Sequence, residues 1–176
     1  RTYNVTASGG ANEVTIVSNG VGYVSEDEAG EDLAAVIGSN GYDTLSAAIS
    51  AAQDGDTVKL IANTTESATI AINKAITLDL YGHDVTVTPD TTYAISVVSS
   101  GVTITNTSDT EASTVTGKIA INIGNYAGGT YYDNIKVSNV KFDTTGTRAV
   151  QVQYAGVEFD DVTVDVVKND QSGAVE

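Results

Sequence analysis

Two stretches of this chain superimpose at a spacing of 22 residues: Ile135-Lys136-Val137-Ser138-Asn139-Val140-Lys141-Phe142-Asp143 and Val157-Glu158-Phe159-Asp160-Asp161-Val162-Thr163-Val164-Asp165. Apolar residues coincide at four positions, and Asp143 falls on Asp165. A segment this short cannot bury its own apolar edge, so copies must stack and supply one another's core. Other segments keep the same time. Ala94-Ile95-Ser96-Val97, Lys118-Ile119-Ala120-Ile121 and Ala149-Val150-Gln151-Val152 match one another. The first and third are followed, at the same offset of seven residues, by Gly101-Val102-Thr103-Ile104 and Gly156-Val157-Glu158-Phe159. In the middle copy, Asn134-Ile135-Lys136-Val137 arrives later because the stretch from Gly124 to Tyr132 is inserted. A β-sandwich gives similar strands but has no reason to hold these offsets. One turn of a β-solenoid per repeat is the expectation, with the insertion protruding as a loop that carries Tyr126, Tyr131 and Tyr132.

Composition agrees. With 17 Gly, 1 Pro and no Cys, Met or Trp, and with Thr, Ser, Val and Ile filling much of the rest, the chain favours strands and tight turns. The absence of cysteine rules out disulfide staples, thiolate zinc sites and thiol nucleophiles. One helix stands out. With Asp43 or Thr44 as N-cap, Leu45, Ala48, Ile49 and Ala52 share a helical face, and Gly55 is expected to end the helix in a left-handed conformation. Upstream, Tyr3-Asn4-Val5-Thr6 and Val14-Thr15-Ile16-Val17 alternate around Ser8-Gly9-Gly10 and read as a β-hairpin. The acidic stretch from Ser25 to Asp32 reads as a linker. These features divide the chain into a hairpin and linker over 1–34 and a solenoid over 35–176, with the capping helix at about 44–52. Gly173-Ala174-Val175-Glu176 resembles Arg148-Ala149-Val150-Gln151, so the solenoid is expected to continue, or to dock on a partner, beyond this point.

Eight Lys and Arg against 23 Asp and Glu give a formal charge of -15. Such a surface repels a phosphate backbone or an anionic membrane and attracts cations. Nucleic acid is therefore not an expected partner, and no stretch approaches the roughly 18 to 20 apolar residues of a membrane-spanning helix.

Tyr42-Asp43-Thr44-Leu45-Ser46-Ala47-Ala48-Ile49 through Gly55-Asp56-Thr57-Val58-Lys59-Leu60 resembles the capping helix and first strand of pectate-lyase-like β-helix proteins, especially the bacterial surface type. Ile76-Thr77-Leu78-Asp79-Leu80-Tyr81-Gly82-His83 and Val137-Ser138-Asn139-Val140-Lys141-Phe142 are similar to rungs common among them. The resemblance, over about Ala35 to Val166, implies a right-handed parallel β-helix with one N-terminal capping α-helix; with the β-hairpin segment read upstream of it, the expected fold class is all-β. It also implies an extracellular or cell-surface location. Relatives include lyases, esterases, hydrolases, adhesins and structural stalks, so activity does not follow from the fold.

Candidate chemistry is sparse. His83 is the only histidine and belongs to the turn Tyr81-Gly82-His83-Asp84, where a structural role is expected. The resemblance implies a lyase arginine beside calcium held by acidic residues; here the arginines are Arg1 and Arg148, with no acidic cluster stacked around Arg148. Asp143 and Asp165, one rung apart, are the candidate calcium ligands together with backbone carbonyls, since calcium takes several oxygens. Solvated faces are the simpler reading of those carboxylates and of Glu158, Asp160 and Asp161. Asn139 fits a rung corner, where Asn tolerates left-handed geometry. Exposed rings stack on sugars and anchor protein interfaces, so Tyr126, Tyr131 and Tyr132 are candidate ligand or interface contacts; the competing reading packs them over the solenoid side. Asn4, Asn63 and Asn106 head glycosylation sequons. Ice binding needs a flat threonine array, which Thr77, Thr103 and Thr163 are not expected to form. The expected role is a non-enzymatic extracellular structural or adhesive module that binds copies of itself or a carbohydrate. The alternative is a polysaccharide-active enzyme fragment, a lyase or glycoside hydrolase.

Overall fold

The computed structural model describes residues 17–18, 21–22, 33–88 and 92–166. A short antiparallel pair, β1 (Val17–Ser18) with β2 (Val21–Gly22), comes first. The expected hairpin over Tyr3 to Val17 lies outside the described residues except at Val17, and the acidic linker lies wholly outside them. β3 (Ala35–Ile37) runs antiparallel to β4 (Asn40–Tyr42) and to β5 (Thr57–Leu60), with helix α1 (Leu45–Ala51) between β4 and β5.

From β5 onward the strands recur in one order. They are β6 (Thr64–Glu66), β7 (Ile70–Ile72), β8 (Thr77–Asp79), β9 (Val85–Val87), β10 (Ile95–Val97), β11 (Thr103–Thr105) and β12 (Thr114–Gly117). β13 (Ile121–Gly124), β14 (Tyr132–Ser138), β15 (Lys141–Thr144), β16 (Val150–Gln153), β17 (Ala155–Asp160) and β18 (Thr163–Val166) complete the series. Every third strand joins the same sheet. The sheets are β7-β10-β13-β16, then β6-β9-β12-β15-β18, and a larger one in which β5-β8-β11-β14-β17 run parallel behind β3 and β4. The molecule is a parallel β-solenoid of about 4 turns.

Alternation explains the core. Along most strands the inward residue is apolar and the outward one polar, so parallel stacking in register builds apolar columns. Ile70, Ile95, Ile121 and Val150 form one, and Val58, Leu78, Ile104 and Val137 another, all at most 2% exposed. The 22-residue pairs Val137 with Phe159, Phe142 with Val164 and Asp143 with Asp165 are all register partners. Asn139 and Asp161 sit at equivalent corners with φ of 55° and 48°. One expected alignment is displaced. Ile95 stands over Ile121, not Ile119, so the middle copy begins at Ala120. A slip of two residues keeps the same face inward, so apolar pattern alone does not detect it.

The helix closes the first turn. Thr44 is the N-cap, its hydroxyl accepting from the Ala47 N–H, and Leu45, Ala48 and Ile49 are buried against the strands. The helix ends where Ala52 turns to extended geometry (ψ 149°); Gly55, at φ 90°, serves the turn that follows instead of the helix end. Both helix ends are bound by the solenoid. The buried Glu66 carboxylate accepts from the Leu45 N–H at 2.8 Å and the Ser46 hydroxyl at 2.9 Å. At the other end Lys74 Nζ donates to the carbonyls of Ser50 at 2.6 Å and Ala52 at 2.7 Å. Anion at the N-terminus and cation at the C-terminus both match the helix dipole.

The threonines divide between faces. Thr57, Thr77 and Thr103 stand in one outward column, which continues as Lys136 and Glu158, whereas Thr163 belongs to another sheet. The column is a threonine line only three rungs deep, not a flat array.

Candidate functional site: a tyrosine loop beside an amide-lined recess

The insertion begins where β13 ends. Gly124, at φ 85°, turns the chain out of the rung, and a Cβ there would collide with the carbonyl oxygen of Gln153 on the rung beyond. No other residue type meets both demands without strain. Gly124→Ala is expected to cost about 1–3 kcal/mol from the positive φ and to tilt the loop, read as a lowered urea midpoint with a changed near-ultraviolet tyrosine dichroism. An unchanged near-ultraviolet spectrum would show that the loop does not depend on this turn.

Beyond Gly124 the loop is closed on itself. Asn125 pairs with Thr130 in an antiparallel bridge, and its side-chain oxygen accepts from the Ala127 N–H at 3.0 Å, starting a short 3-10 turn over Tyr126–Gly128. Tyr126 is 77% exposed, Tyr131 54% and Tyr154 50%. Their rings meet edge to face: Tyr154 lies 6.3 Å from Tyr126 and 5.4 Å from Tyr131, with interplanar angles of 85° and 82°. Tyr131 is seated by Gly156, where a Cβ would stand 2.7 Å from the tyrosine hydroxyl. Tyr132 is placed differently. It opens β14, is half-buried and packs against the core. The residue that completes the cluster is Tyr154. Tyr154 follows Tyr132 by one repeat of 22 residues, and the Tyr132 N–H donates to the Tyr154 carbonyl at 3.4 Å. Reaching it from the sequence means carrying the match three positions back from Ile135 and Val157, across the register shift that precedes Ile135.

Next to the loop, on the outer face of β10, β13 and β16, lies an open recess of about 220 Å³ lined by Tyr93, Ser96, Val98, Asn122, Gly124, Asn125 and Gln153. Gly124 and Asn125 precede Tyr126, and Gln153 precedes Tyr154, so the recess leads into the aromatic cluster. Asn122 is 4% exposed; its Nδ2 donates to the Gly124 carbonyl at 3.0 Å, while its Oδ1 accepts from no group among the described residues. A buried acceptor left unmet costs roughly 1–3 kcal/mol. Neither Asn122 nor the recess was visible in the sequence, where an outward Asn between Ile121 and Ile123 reads as an ordinary strand residue.

The remaining candidates are spread over the surface. Asp143 and Asp165 are side by side in register on the outer face of β15 and β18, as the repeat requires. Lys141 Nζ reaches Asp165 at 3.3 Å, so an ammonium already faces that carboxylate. Among the described residues no group of three or more His, Asp or Glu is gathered for a metal ion. Glu158 pairs with Lys136 at 3.2 Å, both exposed, an arrangement worth at most about 1 kcal/mol. His83 is half-buried in its turn, its N–H donating to the Leu80 carbonyl. The sequon residue Asn106 is 5% exposed; its Oδ1 accepts from the Gly82 and Ser108 N–H groups and its Nδ2 donates to the Glu111 carbonyl. That side chain is a corner strut. No helix among the described residues is long and apolar enough to cross a membrane.

No family model, no curated protein and no solved structure matches the chain.

Proposed function

We propose that the chain is a non-enzymatic structural and adhesive module of an extracellular or cell-surface protein, akin to the bacterial surface members of the pectate-lyase-like β-helices. In this reading the solenoid is a stiff spacer and the tyrosine loop is its point of contact. One observation carries it: Tyr126, Tyr154 and Tyr131 hold one another edge to face while half or more of each stays exposed. Large rings of this kind bury much area at low conformational cost, which is why they anchor contacts. The acidic charge keeps modules apart until such a contact forms.

Beads carrying the chain should be retained on surfaces coated with extracellular polysaccharide, with matrix protein or with the chain itself. Losing an aromatic anchor costs at least about 1–2 kcal/mol, so Tyr126→Ser with Tyr154→Ser should cut retention about tenfold or more while the far-ultraviolet spectrum stays unchanged. Running the assay and analytical sizing with and without calcium tests Asp143 and Asp165, whose pairing on one face makes them the place where a cation would bridge copies. Retention indifferent to both tyrosines would overturn the adhesive reading. Release of unsaturated or reducing ends from pectin-type polysaccharide would replace it with the enzymatic one.

A further inference from the structure

We infer that the recess between β10, β13 and β16 binds one unit of a neutral oligosaccharide, the next unit lying on the ring of Tyr126 or Tyr154. The inference rests on the adhesive reading and narrows its partner to one ligand class. Three features of the recess converge on that class.

Its polar lining is uncharged. Ser96, Asn122, Asn125 and Gln153 supply hydroxyl and amide groups, and among the described residues no Asp, Glu, Lys or Arg lines the wall. Amides donate and accept side by side, which is what a sugar hydroxyl, itself both donor and acceptor, requires. A carboxylated or sulfated sugar would find no cation among the described residues of the wall and would approach a chain of charge -15.

An acceptor waits in the wall. Asn122 is held by its Nδ2 on the Gly124 carbonyl, which fixes the amide's orientation and leaves Oδ1 without a donor among the described residues. Buried polar atoms in folded proteins are nearly always met, so an unmet one beside a cavity points to a donor supplied from outside. A ligand hydroxyl supplies that donor.

The size and the rim complete the fit. At about 220 Å³ the recess is smaller than the roughly 300–1,000 Å³ that encloses a drug-sized molecule. It takes one ring-sized unit and leaves the rest of a longer ligand outside. Outside, through Asn125 to Tyr126 and Gln153 to Tyr154, stand rings whose faces stack on the apolar face of a pyranose.

The test uses the whole chain labelled with nitrogen-15, titrated with neutral hexasaccharides of β-1,4-linked glucose, xylose, mannose and N-acetylglucosamine, and with the corresponding oligogalacturonate. At least one neutral sugar is expected to shift the side-chain amide signals of Asn122 and Gln153. Gln153→Ala, at a half-buried outward position, and Tyr126→Ser, at an exposed one, should each weaken that sugar's binding about fivefold or more while leaving the amide fingerprint of the core unchanged. Shifts with oligogalacturonate alone overturn the neutral class. If no saccharide shifts these amides while tyrosine-dependent bead retention on protein or on the chain itself persists, the saccharide inference fails and the adhesive reading stands. If retention is also lost, both fail together.

Discussion

Phe142→Ala is expected to lower the free energy of unfolding by about 3–5 kcal/mol, the range for removing a buried aromatic ring. Phe142 is fully buried and stands in register between Val115 and Val164. Its neighbours in the column are smaller β-branched side chains, tied to rungs whose spacing is set by ladder hydrogen bonds at roughly 4.8 Å. The rungs cannot close together to refill the space, so the cavity term stays near its full size. Each turn touches only the turns on either side, and the damage is therefore local first. A urea titration followed by far-ultraviolet dichroism should show either a lower midpoint or a separate early transition belonging to the turns around β15 and β18. Phe142→Leu, which keeps most of the volume, should lose less than about half as much. A loss below about 1 kcal/mol, the level of an ordinary surface change, would mean that the ring does not sit in the column.

What the sequence disclosed follows from which physical signals have a period. Inward apolar residues repeat every second position along a strand and every turn along the chain, so the pairing of Ile135 with Val157 and of Phe142 with Val164 is readable from the sequence alone. The capping helix was readable because Leu45, Ala48, Ile49 and Ala52 switch that period to the helical one. Strand β6 was not, because its inward positions are Thr64 and Glu66, which interrupt the apolar columns: Glu66 accepts from the helix N-terminus and the Thr64 hydroxyl donates to Glu66. The displaced match at Ile119 has the same origin: a two-residue shift preserves every inward and outward assignment. The tyrosine loop was legible as an insertion, since it breaks the offsets. Its third ring was not, because Tyr154 lies on the next turn and joins the cluster only through stacking. Asn122 is the extreme case. Its role depends on being covered on the outer face, which no periodicity encodes.

Glu66 shows how much can hang on such an interruption, and Glu66→Ala is expected to cost about 3 kcal/mol, the upper range for hydrogen bonds to a charged group. The carboxylate receives the Leu45 N–H at 2.8 Å and the Ser46 N–H at 3.3 Å through one oxygen, and the Ser46 hydroxyl at 2.9 Å through the other. Alanine leaves the buried Leu45 N–H with no acceptor and removes the negative charge from the positive end of the helix dipole. Glu66→Gln keeps the shape and one acceptor oxygen but turns an amide donor toward a set of donors, so it should lose roughly half as much. Lys74→Met frees the carbonyls of Ile49, Ser50 and Ala52 at the other, more exposed end and should cost about 1 kcal/mol. Glu158→Ala removes only an exposed ion pair and sets the baseline, below about 1 kcal/mol. The helix covers the core columns that begin at Val58 and Ile70, so its release exposes the first turn and not the loop turns. Hydrogen exchange should accordingly rise for α1, β5 and β7 in Glu66→Ala while the amides of β14 and β16 keep their protection. If Glu66→Ala matched Glu158→Ala in stability, or if exchange rose evenly along the solenoid, the cap would not be what holds the first turn closed.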